Sequence, residues 1–299
     1  GAIAAAITPK TKAIIPVDVG GMACHYEPMR DIIYKNKHLY QPNNARQKAF
    51  GRILLLADAA HSLGAIYKGQ HAAHWCDAAC YSFHAVKNLT TAEGGAIAFN
   101  FSEPLDNTAI YNDIYRFSLH GQTKDALAKT LGNNSWEYDV VEAGYKMNMP
   151  DVLAAIGLAG MPTYAASLVR RREICAKYNA LFSQYAWAET PIYADSHRES
   201  SCHLYLLRIK EVSLAHRNAI ITAIFAQEVS VNVHYKPLPL LTLYKNKGYD
   251  INDYPVAQSE WEREISLPLY PQLTDEQIEQ VVKAVVTAVA ATMAATIEK

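Results

Sequence analysis

The sequence lacks an excess of charge of either sign. Its 299 residues carry 28 Lys and Arg against 29 Asp and Glu, which gives a formal net charge of −1. Proteins that bind nucleic acids or acidic membrane surfaces usually present a strongly basic face. We therefore expect neither of these partners, and the short basic run Arg170-Arg171-Arg172 is typical of a solvated helix face.

Cysteine is scarce, and its spacing does not suit a metal site. The five cysteines are odd in number and scattered along the chain (Cys24, Cys76, Cys80, Cys175 and Cys202). Cys76 and Cys80 have no second pair that would complete a zinc site, and no pair of histidines has an Asp or Cys partner at a ligand spacing. We expect reduced, packed cysteines and no metal.

The chain also lacks a long hydrophobic run preceded by basic residues. The first seven residues are apolar but have no basic segment before them, which is unlike a secretory signal. The apolar stretch over residues 284–297 is short for a membrane span and rich in Ala and Thr. We expect no membrane segment and a cytoplasmic location.

What the first half does contain is a series of short β-type runs. Residues 12–17, 52–57, 77–83 and 95–99 are apolar and of strand length, and residues 27–35 have a helical pattern. A strand, a helix and a second strand at these intervals are typical of a βαβ unit. The first half therefore predicts an α/β fold with a parallel or mixed sheet.

The pattern becomes helical at residue 151. Gly160 and Pro162 predict a kink or break in this helical run. Strands are predicted over residues 202–209 and 229–235, with a helix over 214–227 between them, and Thr274 opens a final helix with a capping-box spacing. We divide the chain into a large α/β domain, residues 1–165, and a small α+β domain, residues 166–299.

Asp58 and Lys87 stand where two of the predicted strands end. Ligands of open α/β sheets bind at the carboxyl ends of the strands, so these side chains could meet one ligand there. Pyridoxal phosphate needs both groups, because an amine binds its aldehyde and a carboxylate keeps its ring nitrogen protonated. The alternative is that Asp58 is a turn residue and Lys87 an ordinary surface lysine, and the pattern alone favours this simpler interpretation.

Longer stretches carry more information than this pair. The segments "LADAAHSLGAIYKG" and "YSFHAVKNLTTAEGGAI" resemble the sugar aminotransferases of the DegT/DnrJ/EryC1/StrS family. So do "AITPKTKAIIPVDVGG", "VNVHYKPLPLL" and "ISLPLYPQLTDEQ", in the same order along nearly the whole chain. The resemblance implies a pyridoxal-phosphate enzyme of fold type I, with a mostly parallel sheet in the large domain.

The resemblance assigns roles to five residues around the cofactor. Lys87 occupies the position of the lysine that binds the aldehyde, and Asp58 that of the aspartate paired with the ring nitrogen. Ala60 would lie against one face of the ring, His61 near its phenolic oxygen, and Ser82 would hydrogen-bond the phosphate. Because some relatives with histidine at the lysine position are dehydratases, Lys87 favours amino transfer.

Three further residues receive roles by the same resemblance. Asn148 matches an asparagine that reaches the phosphate in the neighbouring subunit, which implies a homodimer with composite active sites. His234 and Tyr235 fall in a region that lines the cleft for the sugar nucleotide. Both are substrate-contact candidates.

The implied reaction moves an amino group from L-glutamate to a keto-sugar linked to a nucleotide, for surface polysaccharide, glycan or secondary-metabolite synthesis. A cyclitol or another ketone is the alternative acceptor. A non-catalytic sensor or scaffold with the same fold is a further alternative, although such a protein needs neither Lys87 nor Asp58.

The segment "AITPKTKAIIPV" corresponds to a position well inside the family's large domain. We therefore expect an N-terminal segment that precedes these residues. By resemblance, it would supply a phosphate-binding turn, an aromatic residue that stacks on the cofactor ring, and the first elements of the large sheet.

Overall fold

A computed structural model describes residues 1–124, 129 and 136–297 of the protein. In this part of the chain the helices are α1 (Ala2–Ala6), α2 (Tyr26–Lys35), α3 (Ala45–Phe50), α4 (Asn107–Ser118), α5 (Asp151–Phe182), α6 (Leu214–Phe225), α7 (Thr242–Lys245), α8 (Pro255–Arg263) and α9 (Asp275–Ile297). The strands are β1 (Ala13–Ile14), β2 (Leu54–Asp58), β3 (Ile66–Tyr67), β4 (Gln70–His71), β5 (Ala78–Ser82), β6 (Gly95–Phe99), β7 (Ala188–Glu189), β8 (Arg198–Glu199), β9 (Tyr205–Ile209) and β10 (Glu264–Leu267).

Strands β1, β2, β5 and β6 form a mixed sheet in that order. The pairs β1–β2 and β2–β5 are parallel, whereas β6 returns antiparallel to β5. The α/β class predicted from the sequence is confirmed, and the turn between β5 and β6 begins at Ser82, opposite Gly95. Gly95 is required there because a Cβ at this position would lie 2.6 Å from the carbonyl oxygen of Tyr81.

An ion pair joins the starts of β2 and β5. Arg52 donates to both carboxylate oxygens of Asp77, at 2.8 and 2.5 Å, and each side chain is only 14% exposed. Asp77 also accepts a hydrogen bond from the backbone N–H of Leu55 at 2.8 Å. Such bidentate, charge-assisted contacts are stronger than neutral hydrogen bonds. They fix the register that places Asp58 opposite Cys80 at the other end of the two strands.

The described chain divides into two compact units. The first comprises Gly1–Val17, Cys24–Ala60 and Ala72–Pro162, and the second comprises Asp18–Ala23, His61–His71 and Thr163–Lys299. The predicted domains, residues 1–165 and 166–299, remain a prediction, because compact units of contact are not by themselves folding domains.

The second unit has its own apolar core. Strand β9 lies between β10 and β7, and Tyr205, Leu207 and Ile209 alternate inward along it. They pack with buried residues of α6 and α9, among them Ile220 and Val285. Helix α9 begins with the predicted capping box, in which Thr274 and Gln277 exchange hydrogen bonds of 3.0 and 3.2 Å.

Two predicted features differ in the structure. The run predicted to kink or break near Pro162 does not break, because one helix, α5, continues from Asp151 to Phe182 with Pro162 inside it. The strand predicted over residues 229–235 is reduced to a single bridge between Asn232 and Ser266, because only Asn232 exchanges backbone hydrogen bonds with β10.

Helix α5 has the length and apolar composition of a membrane-crossing helix, with an 18-residue window of mean hydropathy 1.7. A single helix of this kind is weak evidence for a span, because core helices of soluble proteins have the same composition.

Candidate active site

Asp58 lies at the carboxyl end of β2, between two neighbouring chain segments. Its backbone N–H donates to Pro16 at 2.8 Å, and the next residue, Ala59, donates to the carbonyl of Cys80 at 2.9 Å. The Asp58 carboxylate accepts a hydrogen bond from the backbone N–H of Ala60 at 3.1 Å. The sheet therefore fixes both the position of this carboxylate and the turn that follows it.

Lys87 is half-buried in the turn after β5. Its backbone N–H donates to the carbonyl of His84 at 2.9 Å. Burial lowers the pKa of the Lys87 ammonium, and the negative charge of Asp58 opposes that shift. Burial dominates, so a larger share of Lys87 is the free amine, which is the form that attacks a carbonyl carbon.

Three predicted residues line one depression in the first unit. It has a volume of about 290 Å³, and Asp58, Ala60 and Ser82 contribute to its wall. Cys80 lines the depression as well, and burial together with the charge of Asp58 raises the pKa of its thiol. The sequence interpretation treated Cys80 only as a packing residue. Its place opposite Asp58 follows from the register of β2 and β5, which the two predicted runs did not give.

The chemistry of this depression fits pyridoxal phosphate. The Asp58 carboxylate can hold a proton on a pyridine nitrogen. Lys87 does not line the depression itself but lies in the turn after β5, and the negative charge of Asp58 acts on its ammonium group. Ala60 leaves room for a flat ring because its side chain is a single methyl group. The Ser82 hydroxyl accepts a hydrogen bond from the backbone N–H of His84 at 3.3 Å, so its own hydrogen can be donated to a phosphate oxygen.

Asn148 lies in the extended segment that precedes α5 in the first unit. Its side-chain oxygen accepts a hydrogen bond from the ammonium group of Lys146. The predicted role of Asn148 at a neighbouring subunit's phosphate remains a prediction.

His61 belongs to the second unit and is held there by two hydrogen bonds. Its Nδ1 accepts from the backbone N–H of Gly20 at 3.2 Å, and its Nε2 lies 3.2 Å from the hydroxyl of Tyr235. Because Nδ1 accepts, the proton of a neutral His61 sits on Nε2. His203, which the sequence interpretation missed, packs beside it with ring centroids 4.4 Å apart.

The predicted substrate residues also belong to the second unit. His234 and Tyr235 both line a cavity of about 410 Å³, together with the buried carboxylic acid Glu264. Glu264 is a further residue that the sequence interpretation did not single out. Among the described residues, no group of three or more His, Cys, Asp or Glu side chains could hold a metal ion, and all five cysteines are free thiols.

Comparisons with known proteins identify the family of this chain. The chain matches the DegT/DnrJ/EryC1/StrS aminotransferase family over residues 1–286. The spore coat polysaccharide biosynthesis protein SpsC of Bacillus subtilis is 34% identical over 283 residues, which are 94% of this chain and 67% of SpsC. The uncharacterized protein MJ1066 of Methanocaldococcus jannaschii is 36% identical over 282 residues, with 93% and 67% of the two chains covered.

A solved structure gives the same result for the fold. Spr1654 of Streptococcus pneumoniae, a protein assigned as a sugar aminotransferase, superposes in its PMP form with a TM-score of 0.92. The two chains are 41% identical, and the match covers 97% of this chain and 72% of Spr1654. The PLP form of the same protein superposes with a TM-score of 0.90. The chain therefore belongs to the DegT/DnrJ/EryC1/StrS family of sugar aminotransferases, enzymes of fold type I whose cofactor is pyridoxal 5'-phosphate.

Proposed function

We propose that this protein transfers an amino group from L-glutamate to the ketone of a nucleotide-linked sugar, in the cytoplasm and for the synthesis of a surface polysaccharide, another glycan or a secondary metabolite. The observation that carries the proposal is the depression at the ends of β2 and β5, which Asp58, Ala60 and Ser82 line, with the half-buried amine Lys87 in the turn that follows β5. The similarity to SpsC supports a role in polysaccharide synthesis.

When bound, pyridoxal phosphate supplies an aldehyde that carries the amino group and a protonated ring that withdraws electrons from the carbon next to the nitrogen. Asp58 would hold the proton on the ring nitrogen, because its carboxylate stabilises the positive charge there. Ser82 would hydrogen-bond the phosphate and so orient the ring. Lys87 would bind the aldehyde, and once the donor has displaced its amine it would move a proton between the substrate carbon and the cofactor.

Lys87 provides the first test of this function. The wild-type protein should show visible absorption from lysine-bound cofactor, and L-glutamate should bleach it. Lys87→Ala should lose this absorption and nearly all turnover of a panel of keto-sugar nucleotides, whereas Lys35→Ala, on the exposed end of α2, should keep both. Retained absorption in Lys87→Ala would show that Lys87 is misassigned. If the enzyme aminates a keto-cyclitol and none of the sugar nucleotides, the acceptor is a cyclitol and the proposed sugar-nucleotide acceptor is wrong.

We further propose that the working form is a homodimer in which Asn148 serves the partner's site. The start of α5 and the segment before it expose large apolar side chains to an extent that is unusual for a monomer surface, including Val152 at 74% and Leu158 at 66%. A second copy of the chain, placed by a two-fold axis, would cover this surface.

Complementation between variants tests the shared site. Asn148→Asp places a negative charge next to the phosphate and should abolish activity, as Lys87→Ala does. A mixed dimer of the two variants contains one intact site, built from the Lys87 of one subunit and the Asn148 of the other. Recovery of activity on mixing supports the composite site, and its failure in a dimer of verified mixed composition would refute it.

A further inference from the structure

Strand β10 carries two buried polar side chains on one face. Glu264 is 5% exposed and Ser266 is 4% exposed, and they are two residues apart, so they point to the same side of the strand. The alternate residues Ile265 and Leu267 belong to the apolar core of the second unit. Buried polar groups need hydrogen-bond partners, and an ionised carboxylate needs them most.

His234 supplies these partners. Its backbone N–H donates to Oε2 of Glu264 at 2.9 Å, and its ring Nδ1 lies 2.7 Å from the hydroxyl oxygen of Ser266. The Ser266 hydroxyl donates in turn to Oε1 of Glu264. The three side chains form a continuous relay from the carboxylate through the hydroxyl to the imidazole ring.

The direction of each hydrogen bond follows from the inventory of donors. An ionised carboxylate can only accept, and a serine hydroxyl has a single hydrogen to give. Because Ser266 gives that hydrogen to Glu264, its oxygen can only accept from the His234 ring. The proton of a neutral His234 therefore sits on Nδ1, and Nε2 carries the lone pair.

We propose that Ser266 and Glu264 are positioning residues that hold the proton of His234 on Nδ1, so that Nε2 can accept a hydrogen bond from a hydroxyl group of the sugar substrate. The inference rests on the proposed function, and it deepens that function by naming the group that the histidine recognises. The cavity of about 410 Å³ that His234 lines gives a sugar room, and Leu206 and Trp261 provide apolar wall for the faces of its ring.

The hydrogen bonds of the relay reverse their direction when Glu264 takes up a proton. Burial raises the pKa of Glu264 to about 7, and the hydrogen bonds from Ser266 and His234 and the positive charges of Arg217 and Arg208 oppose the shift. One proton taken up from solvent would place a hydrogen on Oε1 of Glu264, which would donate to Ser266. Ser266 would then donate to Nδ1, and the ring proton would sit on Nε2. Glu260 also faces the cavity, and its carboxylate is paired with Arg208 at 3.0 Å.

Glu264→Gln should lock the relay in this reversed state. The amide carbonyl must face the N–H of His234, because the NH₂ group cannot accept a hydrogen bond. The NH₂ group then faces Ser266 and donates to it, and the Ser266 hydroxyl turns toward Nδ1. Ser266→Ala removes the bridge altogether and leaves Nδ1 without this partner.

Histidine tautomers can be read directly by long-range proton–nitrogen NMR on protein labelled with ¹⁵N-histidine. The signal of His234 is assigned by its loss in His234→Gln. The wild-type protein at about pH 8.5, above the range where Glu264 titrates, should show the Nδ1–H form and Glu264→Gln the Nε2–H form. Glu262→Gln is the matched control, because the Glu262 carboxylate accepts from Gln258 instead; it should keep the wild-type form.

Kinetics supply the second readout. In Glu264→Gln and Ser266→Ala, kcat/KM for the keto-sugar should fall about tenfold, the loss expected for one hydrogen bond. The half-reaction with L-glutamate should stay within about twofold, since a hydrogen bond made only to the sugar contributes nothing to it.

An Nε2–H wild-type ring, or an unchanged tautomer in a folded Glu264→Gln protein, would overturn the inference. A reversed tautomer with unchanged kcat/KM would also overturn it, while leaving the proposed amino transfer intact. Failure of the wild-type protein to aminate any keto-sugar would instead refute the proposed function, and the substrate role of His234 would be refuted with it.

Discussion

Glu264→Gln also has a consequence for stability that can be worked out from burial. The ordinary pKa of a glutamic acid is 4.5, and that of Glu264 is raised to about 7 in the folded protein. The folded state therefore binds a proton more tightly than the unfolded state. The contribution of Glu264 to stability is greatest below about pH 4.5 and is lost as the pH rises through about 7.

The size of the effect follows from the two pKa values. The difference between 4.5 and about 7 corresponds to roughly 3 kcal/mol over the whole titration. Between about pH 5.5 and about pH 8.5, linkage predicts a loss of about 2 kcal/mol from this single group. Glu264→Gln removes the ionisation while keeping the shape, so it should match the wild-type protein below about pH 4.5, and its stability relative to the wild-type protein should rise by about 2 kcal/mol between about pH 5.5 and about pH 8.5.

Urea unfolding over this pH range measures the difference. Trp187 packs against the core of the second unit, so tryptophan fluorescence reports on the region that contains Glu264. Glu262→Gln serves as control, because it removes the same charge from a carboxylate that is only half-buried. A stability difference between Glu264→Gln and the wild-type protein that does not change with pH would refute the argument from burial.

Three further substitutions test the sheet and the turns that hold the site. Asp77→Asn should cost about 2 kcal/mol in urea unfolding, because it weakens a mostly buried, bidentate contact to Arg52; no loss would show that the pair does not hold β2 and β5 together. Gly64→Ala should cost about 2–3 kcal/mol, since Gly64 has φ +83° and a Cβ there would lie 2.6 Å from the Tyr164 hydroxyl; wild-type stability would contradict this. Asp58→Asn should fold normally by circular dichroism yet lose at least about 100-fold in kcat, and unchanged turnover would exclude a role at the ring nitrogen.

Strands β2, β5 and β6 were predictable because each is a short run of mostly apolar residues, whereas β1 is only Ala13–Ile14 within the predicted run 12–17. Strand β6 has the predicted bounds, Gly95–Phe99, and β2 and β5 differ from prediction by one or two residues at their ends. Their apolar residues are consecutive, as expected for β2 and β5 in the interior of the sheet. The edge strand β6 has the same pattern although its residues are mostly exposed. The ends of β2 and β5 were therefore also predictable, and with them the position of Asp58.

Predictions from local sequence patterns were less accurate where tertiary contacts determine the backbone conformation. Of the kink or break predicted at Pro162, only the break is wrong, because α5 continues through this residue although proline removes one backbone donor. The residues around His234 are apolar and β-branched, yet only Asn232 pairs with β10. Beyond Asn232, the His234 backbone bonds to the Glu264 side chain in place of the β10 backbone, an arrangement that no local propensity encodes.

The relay was missed for a related reason. Glu264 and Ser266 are 30 and 32 residues from His234 in the chain, and "EISL" reads as an ordinary strand with one polar and one apolar face. The alternation predicts that Glu264 and Ser266 share a face, but it does not predict that this face is buried. Only the packing of Arg217 and of His234 against β10 shows that the polar face is enclosed.

Burial favours the neutral form of an ionisable group at both sites, at Lys87 beside the cofactor depression and at Glu264 in the His234 relay. At Lys87 it favours the neutral amine against the attraction of Asp58, and at Glu264 it favours the neutral acid against the pull of Arg217 and Arg208. At both residues the neighbouring opposite charges oppose the pKa shift, and the effect of burial is larger. The lowered pKa makes the free amine of Lys87 more available, and a carboxylic acid that titrates near pH 7 exchanges a proton at neutral pH with little free-energy cost. A transamination has to move protons without consuming any, and the lowered pKa of Lys87 favours that task, whereas the proton on Glu264 sets where the His234 ring carries its own proton.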